Sequence, residues 1–110
     1  MKSADELIEA RQARLKERGE NDLRAVLRLP EGRRLMWSIL TAGRIFQPSY
    51  TGDRGTDYNE GKRAVGLEVM AKIMSVQPAA FLQMSQEHSS EENAFAEEVE
   101  KAKQEEERNG

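Results

Sequence analysis

With 110 residues, of which 37% are hydrophobic and 34% charged, the chain has material for one modest domain, and its apolar supply is low for a self-sufficient core. It contains no cysteine, which excludes disulfides, thiolate zinc sites and cysteine nucleophiles. The formal net charge of −3 conceals a gradient: residues 1–45 hold ten Lys/Arg against seven Asp/Glu, and residues 79–110 hold three against nine, so the chain is basic early and acidic late.

Met-Lys-Ser-Ala-Asp-Glu at the start turns acidic where a signal peptide needs an apolar stretch. No later segment approaches the ~20 apolar residues that span a bilayer, so a soluble, non-exported protein without a membrane-spanning segment is expected. Ser3 followed by Glu6 is a capping-box pattern that opens a helix with Ala4, Leu7, Ile8 and Leu15 on a narrow stripe, and Gly19 is expected to stop it. Asn21 then suits the cap of a second short helix carrying Leu23, Val26 and Leu27. Pro30 fits the first turn of a third helix and holds Leu29 extended. That helix, Pro30 to about Ala42, closes on Gly43 and places Leu35, Met36, Ile39 and Leu40 with Gly32 and Gly43 on one side.

Residues 46–56 combine Pro48, Gly52 and Gly55 with polar residues and read as a loop with aromatic anchors, with local extension possible from Arg44 to Tyr50. Thr56 or Asp57 is expected to cap a fourth, central helix to about Val76, whose stripe from Gly66 through Leu67, Val69, Met70, Ile73, Met74 and Val76 is wider than one contact face needs. Pro78 opens a fifth helix with Phe81, Leu82 and Met84. After the polar stretch His88 to Ser90, a last one carries only Phe95, Val99 and alanines among glutamates. The expected fold is therefore all-α, with five to six short helices. A charged N-terminal helix at 1–20 is followed by a helical core at 21–86 that includes the loop at 46–56, and by an acidic helix or tail at 87–110.

Catalytic constellations fail their spacing tests. His88, the single histidine, lies in a polar segment beside Ser89 and Ser90 and reads as solvated or capping rather than as a base. It cannot build a zinc shell without cysteines, and Asp53, Asp57 and Asn59 do not match a calcium loop, so no metal or cofactor is expected. Between Gly55 and Gly61-Lys62 stand five residues where a phosphate loop has four, and Arg63 replaces its Ser or Thr. The late glutamates read as a solvated face, with Glu97 and Lys101 at ordinary i,i+4 spacing.

Two residues stand out. Trp37 falls off the centre of its stripe toward Arg33 and Thr41, either as an interface anchor or as a cover over the rim of its own core. Arg63 lies near the extension of the fourth helix's stripe and calls for Glu31, Glu60 or a neighbouring subunit, or else snorkels to water.

From Leu29 to Ile73, Leu-Pro-Glu-Gly-Arg-Arg, Trp37, Phe46, Ser49-Tyr50-Thr51-Gly52 and Asn59-Glu60-Gly61-Lys62-Arg63-Ala64-Val65-Gly66-Leu67 resemble a family of small phage proteins typified by one from a short-tailed Bordetella phage. Lys62 departs from the more frequent arginine, which weakens any two-pronged planar contact there. The resemblance implies a non-enzymatic virion or assembly protein, located in the virion and, during assembly, in the host cytoplasm. Within that setting a minor component of the portal region or of the internal core and ejection apparatus is expected. Its partners would be portal, core or tail proteins and further copies of itself in an oligomer or ring, with basic halves meeting acidic tails. The interface candidates are Arg33, Arg34, Trp37, Phe46, Tyr50, Tyr58, Glu60, Lys62 and Arg63. The alternatives are phosphate contacts by Arg33, Arg34, Lys62 and Arg63 to nucleic acid, which the pI of 5.3 opposes, and a host-directed module acting through the Trp37 face or the acidic tail.

Overall fold

The computed structural model describes residues 1–47 and 55–110. They form four helices, α1 (Ala4–Arg28), α2 (Pro30–Ala42), α3 (Gly55–Val76) and α4 (Pro78–Asn109), with no strand among the described residues. The all-α expectation is met, with four helices in place of five to six because two expected breaks do not occur. α1 runs straight through Gly19: one glycine costs a helix about 1 kcal/mol, and its neighbours Lys16, Glu17, Arg18 and Glu20 are good helix formers. Asn21 caps nothing, and its Oδ1 accepts a hydrogen bond from Arg24 Nη1 at 2.9 Å. α4 likewise continues through His88, Ser89 and Ser90, a polar stretch that contains neither Gly nor Pro to end it.

Where the punctuation is strong, the structure follows it. Ser3 Oγ accepts from the Glu6 N–H at 3.2 Å, with Asp5 and Glu6 in the first turn of α1, and this satisfies the exposed donors and the positive end of the helix dipole. Leu29 is extended (φ −98°, ψ 136°) before Pro30, the first residue of α2, and Pro78 opens α4. Thr56 and Asp57 lie within the first turn of α3 instead of capping it.

The end of α2 departs from expectation. Gly43 keeps right-handed helical dihedrals (φ −75°), and the left-handed position falls on Arg44 (φ 57°). The Arg44 N–H donates to Thr41 O at 3.0 Å and the Ile45 N–H reaches Leu40 O at 3.5 Å, the double closure of a Schellman turn. Gly43 is required for proximity: a Cβ there would sit 2.8 Å from Gly66 Cα, and one on Gly66 would sit 2.7 Å from Ile45 Cγ2. At Gly32 a Cβ would overlap the Val26 carbonyl. Arg44 to Phe46 therefore form a turn, not an extended segment. Most of the expected 46–56 loop lies outside the described residues, and Gly55 and Thr56 already belong to α3.

α2 and α3 form the centre: α2 packs on the other three helices, and so does α3. Each helix contributes to one core, Leu27 from α1, Leu40 from α2, Ile73 from α3, and Ala80 and Met84 from α4, with Leu23, Met36, Trp37, Ile45, Val69, Met70 and Phe81 around it. The molecule is long, 82 × 39 × 16 Å with a radius of gyration of 20.7 Å, against about 13 Å for a compact domain of similar length. Both outer helices project beyond the core. Nothing before Leu27 is buried in α1, and nothing after Met84 is buried in α4.

The glycines give a direct check of this packing. Nothing lies within 4 Å of a Cβ added at Gly19 or Gly61, so Gly19→Ala and Gly61→Ala are each expected to stabilise the protein by about 0.5–1 kcal/mol. Gly32→Ala and Gly66→Ala are expected to destabilise it by about 1–3 kcal/mol through overpacking. Thermal denaturation followed by circular dichroism separates the two pairs, and a shift of the same sign in all four would refute the helix contacts.

A candidate interface around Arg33 and Trp37

Arg33 and Trp37 stand one turn apart on α2 and face the start of α4, where Met84, Glu87, His88 and Glu91 recur at helical spacing on one side. Arg33 is 9% exposed, and a guanidinium so placed needs partners on several of its donors. It has them. Nε meets Glu87 Oε1 at 2.6 Å, Nη2 lies 3.4 Å from Oε2, and Nη1 donates to the Leu27 carbonyl at 2.9 Å. One side chain of α2 thus grips α4 through a forked ion pair and closes the C-terminal end of α1, whose last carbonyls have no partner within their own helix.

Trp37 lies among three rings: Phe46 at 5.1 Å, His88 at 5.2 Å and Phe81 at 5.9 Å between centroids, tilted by 29° to 33°. Trp37 is partly buried and packs against the core, with half-exposed Phe46 stacked upon it. His88 is exposed and also packs its ring on Trp37. Between these residues opens a hollow of about 190 Å³ lined by Arg33, Arg34, Trp37, Ser38, Met84, Glu87, His88 and Glu91. Ser38 Oγ donates to the Leu35 carbonyl at 2.7 Å, so the hollow does not pair a hydroxyl with the imidazole. It presents aromatic surface bordered by charges of both signs, a chemistry suited to contact with a partner.

The remaining candidates divide. Arg34 is exposed, 4.0 Å from Glu31. On α3, Lys62 Nζ lies 4.6 Å from the centroid of Tyr58, which is 67% exposed, the i,i+4 geometry of a cation–π contact. Glu60 is exposed. Arg63 Nη1 donates to the Gln47 carbonyl at 3.0 Å, so among the described residues its partner is a backbone oxygen rather than Glu31 or Glu60. Through Gln47 and its neighbour Phe46, Arg63 is joined to the Trp37 cluster. Tyr50 lies outside the described residues.

Glu87, Phe81 and Arg24 were not singled out in the sequence. Glu87 was legible only as part of a solvated glutamate run, although it follows Met84 by three residues and Ala80 by seven and so continues the core face of α4. Arg24 Nε reaches the carbonyl of Val76 at 3.3 Å, a contact across 52 residues with no local signal. Among the described residues no group of three or more His, Asp or Glu gathers in metal-binding geometry. Among the described residues no single helix is long and apolar enough to cross a membrane; α3 and α4 pass that test only as a pair bent by 116°.

Loss of Arg33 leaves a carboxylate and a helix-end carbonyl without their donor. Arg33→Ala is therefore expected to destabilise the fold by about 3 kcal/mol, and Arg33→Lys by at least 1 kcal/mol, since one ammonium cannot serve all three acceptors. Arg34→Ala is expected to change stability by under about 0.5 kcal/mol. Urea denaturation monitored by the single Trp37 measures all three, and equal effects at positions 33 and 34 would contradict the geometry.

No curated protein and no solved structure matches the chain. A family model described as Bbp19-like phage protein matches residues 23–86, well over half of the length. Its bounds fall on the packed unit: Leu23 is the first residue of α1 to touch the core, and Met84 is the last buried residue of α4. The matched region thus holds Arg33, Trp37, Phe46 and Phe81, the glycine contacts and every buried side chain, while Glu87 and His88, the partners of Arg33 and Trp37 on α4, lie just past its end and the two projecting helix ends lie outside it. The chain belongs to the family of Bbp19-like phage proteins.

Proposed function

We propose that the chain is a non-enzymatic assembly component of a short-tailed phage particle, a minor structural protein of the portal region or of the internal core and ejection apparatus, acting through helix-mediated subunit contacts. The observation that carries this reading is the imbalance between inside and outside. Among the described residues five hydrophobic side chains are buried, whereas Leu7, Ile8, Leu35, Val65, Leu82 and Phe95 each remain more than half exposed along a body 82 Å long. Leu7 and Ile8 of α1 and Phe95 of α4 stand on helix ends that project beyond the core, where a neighbouring subunit, and no part of this packed unit, would cover them. Membership of a phage family supports a phage-associated role; the neighbours in this proposal are portal, core or tail proteins and further copies of this chain, in the virion and, beforehand, in the host cytoplasm.

The nucleic-acid alternative is weaker on one specific ground. Arg33, the first of its proposed phosphate contacts, donates through Nε, Nη1 and Nη2 to Glu87 and Leu27 and Arg63 gives Nη1 to the Gln47 carbonyl, so that Arg34, Lys62 and the rest of Arg63 make a small electrostatic footprint.

Mass spectrometry of gradient-purified particles, before and after genome release and scaled to the portal protein, tests the proposal. The expected outcome is presence at a fixed copy number. Loss of the protein with the DNA would indicate an internal or ejected role, and retention in the emptied shell a portal or tail role. Absence from both preparations would overturn the virion reading.

A further inference from the structure

A second concavity, of about 650 Å³, runs between α1 and α3 on a different part of the molecule from the Trp37 hollow. Leu15, Leu23, Val69 and Val76 give it apolar walls, and Lys16 and Lys72 stand at its lining as exposed cations. Gly19 also lines it, with open space where a side chain would begin, so a helix could approach the α1 backbone closely there.

The same molecule carries a helix without a seat. Beyond Glu87 no residue of α4 is buried, and Phe95 is 62% exposed. At about 100° per residue, Phe95, Val99 and Ala102 share a narrow strip, with Glu92 and Glu98 about 60° to either side of Phe95. The dimensions agree. Phe95 to Ala102 spans roughly 10 Å at 1.5 Å per residue, as Val69 to Val76 does on α3, and Leu15 to Leu23 on α1 spans about 12 Å. Charge is compatible as well: residues 89–110 hold eight Glu against three Lys/Arg, and the groove lining carries Lys16 and Lys72 against one carboxylate, Glu20, which lies 3.8 Å from Arg24.

We propose that the groove between α1 and α3 receives the acidic end of α4, residues 89–109, from a second copy of this chain. Phe95 and Val99 enter between the helices, and Glu92 and Glu98 meet Lys16 and Lys72. Because groove and inserted helix are different surfaces, the contact either propagates head-to-tail into a ring or filament or closes into a dimer in which each copy fills the other's groove. The inference rests on the assembly reading above and specifies how copies join.

Charge reversal in the full-length protein tests it. Lys16→Glu with Lys72→Glu, and separately Glu92→Lys with Glu98→Lys, alter exposed side chains, so helicity and melting temperature should stay close to those of the parent. Multi-angle light scattering at low salt should show the parent self-associating and each double variant about tenfold weaker. An equimolar mixture of the two variants should recover association, since every contact in the mixture joins opposite charges. Phe95→Ala should weaken association without altering its salt dependence. Parent-like association of both double variants, or a mixture that fails to recover, would overturn the groove assignment while leaving self-assembly standing. A parent that is monomeric at all concentrations would overturn the inference, and the particle mass spectrometry would then decide the assembly reading independently.

Discussion

The fold depends on one guanidinium. α1 and α4 lie on either side of the α2–α3 centre, and Arg33 of α2 spans between them, donating to Leu27 O at the end of α1 and to the Glu87 carboxylate of α4. Three helices are fixed relative to one another by a group that is planar, always charged and able to donate in several directions at once. The same device recurs in simpler form, with Arg24 of α1 on Val76 O at the end of α3 and Arg63 of α3 on Gln47 O just past the end of α2. For Leu27 and Val76 the carbonyl lies at a helix C-terminus and for Gln47 in the segment after the turn that closes α2, and in each case it is taken by an arginine from a different helix. Such contacts define angles between helices that five buried apolar residues would specify poorly by themselves, because dispersion and hydrophobic burial are non-directional.

Sequence reading succeeded where the determinant was local. Ser3 with Glu6, Pro30 and Pro78 act within a turn of where they stand, and each marks a helix start in the structure. It failed where a weak local signal met strong neighbours: Gly19 and the His88–Ser90 stretch were expected to end helices that flanking residues carry through. Gly43 was recognised as the end of α2 and as part of its packing side, but not its partner: its lack of a side chain admits Gly66 of α3, and the left-handed turn falls on Arg44. Close approach between segments more than twenty residues apart leaves no periodic trace.

The site divided in the same way. Arg33 and Trp37 were identifiable as unusual, a charge and an indole beside an apolar stripe, but their partners Glu87, Phe81 and His88 are more than forty residues away. Arg33 was accordingly expected to meet phosphate or a neighbouring subunit, whereas it is internal to the chain. Tyr58 and Lys62, which interact with each other one turn apart, remain at the surface. The family match spans both groups, Arg33 with Trp37 and Tyr58 with Lys62, and leaves the projecting helix ends outside the matched region.

The continuity of α4 has a mechanical consequence. Its 32 residues make a rod of roughly 48 Å whose root is clamped by Met84 and the Arg33–Glu87 pair and whose remaining two-thirds project clear of the body. A helix without a break acts as a lever: a rotation of about 5° at the clamp sweeps the tip through roughly 3 Å, and a load on the tip returns as torque on the clamp. The indole of Trp37 rests against His88, one residue beyond that fulcrum. Leverage of this kind converts small adjustments within the packed unit into displacements large enough to change which neighbour the far end can reach.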